Sequence, residues 1–407
     1  MKACYLPDGA GRDRALQTLK NALPAFDPNQ SARFSFSAKV MSLAALDSDV
    51  SALAPVESSS FDEIAVAPGL RLFPNNWGKA FLAHVQRLLS QSGELHVPYT
   101  PGKSEDDWTL TELQEFFQQQ GKVDQENHYV SFSAAPTSPK VPSVLSWYYD
   151  HYARTTLNKV EVEPTEQLPS TLLTELSSFL LPGNEKWFAP DATASSEESI
   201  SVPAFLESTS DSFDYLLHGP SYKNAILSHI LRQNFDSSQP LAILDHGGGP
   251  GFLCVDLLLE HEQIQRAVNC DINPGNLWLL RRLCQYYQQE LQGRFFIDIN
   301  PAQDHHFDQK YDMVSYVGSL LYVPREHTQT VLDRAWEALN PGGILVIHEN
   351  VRHPSFERDY QKMFTTDEID EYLQRYGAIR YYLSTRAREV TREQAGVKTV
   401  FRVVRKG

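Results

Sequence analysis

The chain has 407 residues, 42% of them hydrophobic and 21% charged, with a formal net charge of −15. That length exceeds what one hydrophobic core usually serves, so two domains are expected, and the hydrophobic share excludes a chain disordered throughout. With a pI near 5.3 the chain repels a phosphate backbone on average, which argues against DNA or RNA as a substrate.

The four cysteines, Cys4, Cys254, Cys270 and Cys284, show no C-x-x-C spacing. They read as reduced thiols, not as a disulfide framework or a zinc site, and no metal is expected. The opening residues, Met1-Lys-Ala-Cys-Tyr-Leu-Pro-Asp-Gly9, lack the apolar core of a signal peptide. No apolar run reaches the roughly 18 residues that a membrane helix needs. The expectation is a soluble, cytoplasmic protein that does not engage a membrane.

In chain order, residues 3–6 read as a strand, 7–9 as a turn, 12–22 as a helix and 33–40 as a strand, the last from the aromatic alternation of Arg33-Phe-Ser-Phe-Ser. Residues 42–60, rich in Ser and Ala, read as surface. A strand at 61–67, a helix at about 76–90, a turn at 91–93 and a strand at 94–98 follow. This order recurs later. Residues 61–98 set against 311–348 without a gap give identities at Asp62/Asp312, Leu70/Leu320, Pro74/Pro324, Leu82/Leu332, Leu89/Leu339, Gly93/Gly343 and Leu95/Leu345. These fall at strand ends, on the helix core face and at the turn glycine, where a shared strand-helix-strand unit requires them. The first region therefore reads as a degenerate α/β unit of similar build. Its nearest approach to a ligand loop, Pro7-Asp-Gly-Ala-Gly11, reads as a plain turn.

The prolines of residues 134–142 mark a linker. Helical spacing follows at 143–157, with Trp147, Tyr148, Tyr149 and Tyr152, and again at 165–181. Residues 190–203 read as a loop, and 213–233 as an amphipathic helical segment broken at Gly219-Pro220. From Leu241 strands and helices alternate: strand 241–245, helix 251–260, strand 267–271, helix 274–287, strand 294–299, strand 311–316, helix 327–339, strand 344–349, helix 366–376, and closing strands at 379–384 and 399–404. The expected fold is α/β: a Rossmann-like doubly wound sheet with a terminal antiparallel hairpin, preceded by the degenerate unit and a helical connector. The expected domains are residues 1–135, 136–209 and 210–407.

The glycine turn Asp245-His-Gly-Gly-Gly-Pro-Gly251 follows the first of these strands. Such a turn brings backbone close to a ligand beside the free N–H groups of a helix N-terminus. The dinucleotide pattern G-x-G-x-x-G fails in both registers, because its third position falls on Phe252 or Cys254. A Walker loop is excluded, since no Gly-Lys-Ser/Thr follows. Asp245 suits a ligand that carries ammonium and sulfonium charge, and would be wrong beside a pyrophosphate. Asp271, ending the next strand, can accept ribose hydroxyls or cap the helix that begins at Pro274.

Together with Asp298 after the third strand, Tyr311-Asp-Met-Val-Ser-Tyr316 as the fourth and Leu339-Asn-Pro-Gly-Gly-Ile-Leu-Val-Ile-His-Glu349 as the fifth, this ordered set resembles the motifs of class I S-adenosylmethionine-dependent methyltransferases over residues 210–407. The glycine turn is also similar to that of small-molecule O-methyltransferases with a helical N-terminal dimerisation region. The resemblance implies S-adenosyl-L-methionine as cofactor, with Asp245, Gly247, Gly249 and Gly251 at its methionine part, Asp271 at the ribose, Asp298 and Ile299 near the adenine, and Ile272 among the cofactor-binding residues. Tyr215, with His218 and Tyr222 close by, is placed to touch the methionine carboxylate or the substrate.

That subgroup usually carries a catalytic His about twenty residues before the Pro-Gly-Gly turn, and here that place holds Leu321. The Asn-Pro-Pro-Tyr type of tetrapeptide is replaced by Ser315-Tyr-Val-Gly318, and the cysteines do not suit arsenite methylation. The remaining catalytic candidates are Tyr316, Tyr322 and His348. The tyrosine rings suit the sulfonium through cation–π contact, and His348 lies beside Glu349 at the tip of the fifth strand. Plainer readings stand beside these: Tyr322 as packing, His348 as a locally bonded strand residue and His246 as a shaper of the turn. The reading is a methyltransferase for a small-molecule acceptor, O-methylation favoured, with a homodimer as its assembly. Its rivals are transfer of the cofactor's aminocarboxypropyl arm and a non-catalytic binding or scaffold protein.

Overall fold

Two sheets organise the computed structural model, which describes residues 2–7, 12–28, 31–36, 61–68, 75–102, 108–135, 139–151, 174–184, 220–300, 307, 309–352, 364–381 and 397–407. One unit comprises Met1–Val160 with Leu217–Ala225, and the other Glu161–Leu216 with Ile226–Gly407.

In the second unit β7 (Leu241–His246), β8 (Ile264–Cys270), β9 (Phe295–Asp298), β10 (Tyr311–Val317), β11 (Leu339–Arg352), β12 (Ile379–Tyr381) and β13 (Val397–Arg405) form one sheet in the order β12-β13-β11-β10-β7-β8-β9. The five strands β9 to β11 in that order pair parallel, and β13 runs antiparallel to both β11 and β12. This is the doubly wound sheet with a terminal antiparallel pair that the alternation predicts. Every residue of β10 is buried, as expected of a central parallel strand covered on both faces. Between the strands lie the helices Phe252–Glu260, Pro274–Tyr286, Gln288–Leu291, Arg325–Ala338 and Thr366–Gln374, and Pro220–Asn234 precedes β7. Val331, Leu332 and Ala335 of one helix and Ile369 and Leu373 of another pack on Val314, Tyr316, Leu345 and Ile347 of the sheet.

The first unit holds β1 (Lys2–Pro7), β2 (Ala32–Phe36), β3 (Phe61–Val66), β4 (Leu89–Pro98), β5 (Lys122–Asp124) and β6 (Tyr129–Ser133), ordered β2-β1-β3-β4-β6-β5. Its helices are Arg12–Ala22, Asn75–Arg87, Leu110–Phe117 and Val144–His151. Ala15, Leu19 and Ala22 of the first helix, with Phe26, pack against Cys4, Ala65, Ala67 and Tyr129.

Read strand by strand, this sheet repeats the second one without a described counterpart of the edge strand β9. β1 and β2 answer to β7 and β8, β3 and β4 to β10 and β11, and β5 and β6 to β12 and β13. The register repeats as well. Phe61 pairs with Leu89, a shift follows, and Glu63 pairs with Glu94; Tyr311 pairs with Leu339, a shift follows, and Met313 pairs with Ile344. The same positions carry the same polar lock: Ser90 donates to Asp62 at 2.9 Å, and Asn340 donates to Asp312 at 2.9 Å. The helices Leu110–Phe117 and Thr366–Gln374 both open with a capping box, Thr109 with Glu112 and Thr365 with Glu368. They bury Leu113 and Phe117 in one case and Ile369 and Leu373 in the other.

The structure adds elements that the sequence reading does not assign, namely the helix at Leu110–Phe117 and the strands β5 and β6. The expected strand at 33–40 is described as far as Phe36, and most of the expected helical connector lies outside the described residues. Of the connector, residues 139–151 and 174–184 are described, and the latter include a parallel bridge from Leu180 to Ile297 of β9. All four cysteines are free and buried. Among the described residues no group of side chains could hold a metal ion, and no helix is long and apolar enough to cross a membrane.

Candidate functional site

The glycine turn lies at the carboxyl end of β7, the strand from which the chain winds outward both ways: β8 and β9 on one side, β10 and β11 on the other. Open α/β sheets bind ligands at such a switch point. Gly249 has a φ of +58°, in the left-handed region, and among the described residues a Cβ built on it would meet only the Asn276 amide nitrogen, at 3.8 Å, so that the described residues leave the space over this peptide open. Gly251, the N-cap of the helix Phe252–Glu260, has a φ of +74°, and a side chain there would strike Leu280 at 2.6 Å. One glycine thus leaves room above the turn and the other lets the helix close onto its neighbour.

The turn is pinned from β8. The Asn269 amide donates to the Gly249 carbonyl at 3.1 Å, and the Gly249 N–H donates to Asp271 Oδ2 at 2.9 Å. Asp271 Oδ1 accepts from the Asn273 N–H at 2.8 Å and from Asn276 Nδ2 at 3.0 Å. Burial pushes the Asp271 carboxyl above its ordinary range, and these three donors pull against that without reversing it. Beside it Ile272 is 59% exposed, a large aliphatic side chain facing outward where an apolar one normally turns in.

Asp245 is buried, its Oδ1 accepting from Ser315 Oγ at 2.7 Å across to β10. It therefore braces the end of β7 against β10. Asp298 is buried and accepts from Asn300 through N–H at 3.1 Å and Nδ2 at 2.6 Å. The Ile299 N–H donates to Asn184 Oδ1 at 3.0 Å, so a residue of the connector fixes the end of β9.

The three catalytic candidates sit in different environments. Tyr316 is buried, stacked on His246 with ring centroids 5.1 Å apart and planes 4° apart. Burial pushes its phenol far above the ordinary range, so it stays protonated at neutral pH and cannot serve as a base. His348 is wholly buried in β11 with its ring 4.2 Å from Phe401. Tyr322 closes the single 3-10 turn Leu320–Tyr322 after β10 and is 75% exposed. That turn is tied down by Glu349, whose Oε1 accepts from the Leu320 N–H at 2.6 Å, and by Ser319, whose hydroxyl donates to the His246 carbonyl. Tyr215 and His218 lie outside the described residues, as does the side chain of Tyr222.

Residues 243–343, running from β7 to the Pro-Gly-Gly turn, match the methyltransferase domain family. The sheet of the second unit has the doubly wound order that the sequence resemblance implies. A comparison with curated proteins gives no match. Among solved structures, an O-methyltransferase family protein from Burkholderia thailandensis is similar at 14% identity and a TM-score of 0.39, over 50% of this chain and 60% of that one. A 1,6-didemethyltoxoflavin-N1-methyltransferase from the same organism is similar at 21% identity and 0.37, over 50% and 86%. A magnesium protoporphyrin IX methyltransferase from Synechocystis PCC 6803 is similar at 13% and 0.34, over 60% and 100%. The chain covers 60% of the first of these.

Around the glycine turn, the structure brings Gly249, Asp271, Asn269 and Asn276 together. Asn269 and Asn276 escape the sequence reading. Their only signal is an amide two residues before Asp271 and another five after it, in the first turn of the following helix.

Proposed function

We propose that the chain is an S-adenosylmethionine-dependent methyltransferase whose acceptor is a small molecule, methylated on oxygen in preference to nitrogen, sulfur or carbon. The observation that carries this reading is the peptide of Gly249, open on one side and held on the other between Asn269 and Asp271. A cradle of that kind fits a nucleoside cofactor with a charged tail: the turn receives the tail, Asp271 the ribose, and Ile272 with Ile299 the base. Gly247 and Gly251 complete the turn, and Asp245 and Asp298 set the ends of the two strands that flank it. S-adenosyl-L-methionine, when bound, supplies an electrophilic methyl on a sulfonium.

The protein's part is then alignment and exclusion of water more than proton transfer. Tyr322 is the candidate that reaches open surface, and we assign it to the acceptor. Tyr316 and His348 are buried on β10 and β11, Tyr316 stacked on His246 at the end of β7. A net charge of −15 disfavours a nucleic-acid acceptor. Four buried, free thiols accord with the cytoplasm.

Incubation with methyl-labelled cofactor and a panel of hydroxylated small molecules tests the reading. Label should appear in a product alongside S-adenosylhomocysteine. Methylthioadenosine in its place would point to transfer of the aminocarboxypropyl arm, and no turnover with any acceptor, despite cofactor binding, would favour a binding protein. A homodimer, which the likeness to O-methyltransferases with an N-terminal dimerisation region suggests, is checked by light scattering.

A further inference from the structure

A row of hydrogen bonds runs from the glycine turn to the connector. The Gly249 N–H donates to Asp271 Oδ2 at 2.9 Å, and the Asp271 N–H donates to the Asp298 carbonyl at 3.0 Å. The next residue, Ile299, donates its N–H to Asn184 Oδ1 at 3.0 Å. A ligand laid along the strand ends from Gly249 past Asp271 thus comes next to Ile299, at the border with the connector.

The connector reaches that border by adding a short strand to β9. Leu180 pairs parallel with Ile297: the Ile297 N–H donates to the Phe179 carbonyl at 2.7 Å, and the Leu181 N–H donates to the Ile297 carbonyl at 2.9 Å. Continued regularly, this ladder would next run from the Ile299 N–H to the Leu181 carbonyl. A side-chain amide is inserted there instead. Asn184, which is buried, accepts from Ile299 through Oδ1 and donates to the Leu181 carbonyl through Nδ2 at 3.1 Å. Upstream, Glu175 ties the same segment to the helix Pro274–Tyr286. Its Oε2 lies 3.1 Å from Arg281 Nε and accepts from Gln285 Nε2 at 2.8 Å.

We infer that Asn184 is a positioning residue for the cofactor's base, an inference that rests on the cofactor reading given above. It holds the Ile299 N–H toward the connector, so that Ile299 meets the base with its apolar side chain. The docked segment 174–184 then borders the base, and segment and cofactor stabilise each other. By linkage, a cofactor that binds the docked form better strengthens docking by the factor by which docking strengthens binding.

Hydrogen exchange and calorimetric titration of the full chain test this. Saturating S-adenosylhomocysteine should slow exchange of the Leu181 and Ile299 amide hydrogens in wild type by about tenfold or more. Asn184→Ala should bind S-adenosylhomocysteine about tenfold more weakly. For S-ribosylhomocysteine, which lacks the base, the variant should match wild type in competition against S-adenosylhomocysteine. Glu175→Ala, which loosens the segment without touching Ile299, should speed Leu181 exchange in the free chain, and saturating S-adenosylhomocysteine should reverse that. Undiminished affinity in Asn184→Ala would overturn the proposal, as would Leu181 exchange that ignores the ligand in wild type and in Glu175→Ala. So would an equal loss for the ligands with and without the base, because Asn184 would then serve only the fold. Failure of wild type to bind S-adenosylhomocysteine at all would instead remove the cofactor reading on which the proposal stands.

Discussion

Asp271 is the side chain on which most of the site's polar geometry converges, and its surroundings make its behaviour with pH predictable. Burial raises its carboxyl above the usual value near 3.9. Ribose hydroxyls donate to the ionised form, so binding favours ionisation. Affinity for S-adenosylhomocysteine should therefore be full at neutral pH and fall as pH drops through the raised pKa, beginning at a higher pH than an exposed aspartate would give. Titrations from pH 8 to about 4.5 should show this decline, and Asp271→Asn should bind weakly with little of it. Tyr322 gives a different forecast. At 75% exposure, Tyr322→Ala should change stability by less than about 0.5 kcal/mol. If it touches the acceptor, kcat/KM should still fall several-fold. Equal kcat/KM with unchanged melting would remove it from the site.

Among the elements, the paired helices at Leu110–Phe117 and Thr366–Gln374 make the clearest comparison. Each is opened by a threonine whose hydroxyl accepts from the glutamate N–H three residues on, at 3.3 Å for Glu112 and 3.2 Å for Glu368. Thr109→Ala and Thr365→Ala should each cost about 1 kcal/mol in chemical denaturation. The glycines near the register shifts within β4 and β11 are just as constrained. A Cβ on Gly93 would stand 2.8 Å from the Phe61 carbonyl oxygen, and one on Gly343 would stand 2.9 Å from that of Asn340 and 3.2 Å from that of Tyr311. Backbone cannot move aside cheaply, so Gly93→Ala and Gly343→Ala should both destabilise, by about 1–3 kcal/mol.

These elements also mark what sequence can and cannot convey. Strong local patterns place the second unit's strands and helices to within a few residues, because apolar runs, a glycine turn and crossover helices follow one another closely. The helix Leu110–Phe117 carried its own signal, Thr109-Leu-Thr-Glu112 before Leu113, the capping box that also opens Thr366–Gln374. Strand β5, only Lys122–Asp124, is too short for alternation to register. Asn269 and Asn276 were not legible for another reason: a lone asparagine reads as an ordinary polar residue, and its role depends on strand register and on which backbone the glycine turn presents.

Across the whole molecule the two units share strand order, register shift, polar lock and capping box, yet differ at the site. The acid that follows the second strand of the sheet, Asp271 after β8, has no described equivalent after β2. Because the first unit's sequence offers only Pro7-Asp-Gly-Ala-Gly11 in place of the glycine turn, the second unit alone should respond to cofactor. Hydrogen exchange on the full chain with saturating S-adenosylhomocysteine should slow residues 247–251 and 269–276 and leave β3 and β4 unchanged. Protection of β3 and β4 to the same degree would show a ligand site in the first unit as well.

The claim on which the account depends is that the turn at Gly249, fixed by Asp271, binds the cofactor, and calorimetric titration of wild type and Asp271→Ala with S-adenosylhomocysteine tests it most directly. Wild type should bind saturably at one to one, and the variant should lose about 10- to 100-fold in affinity, or roughly 1.4–2.7 kcal/mol. No heat of binding to wild type, or equal affinity in the two proteins, would contradict it.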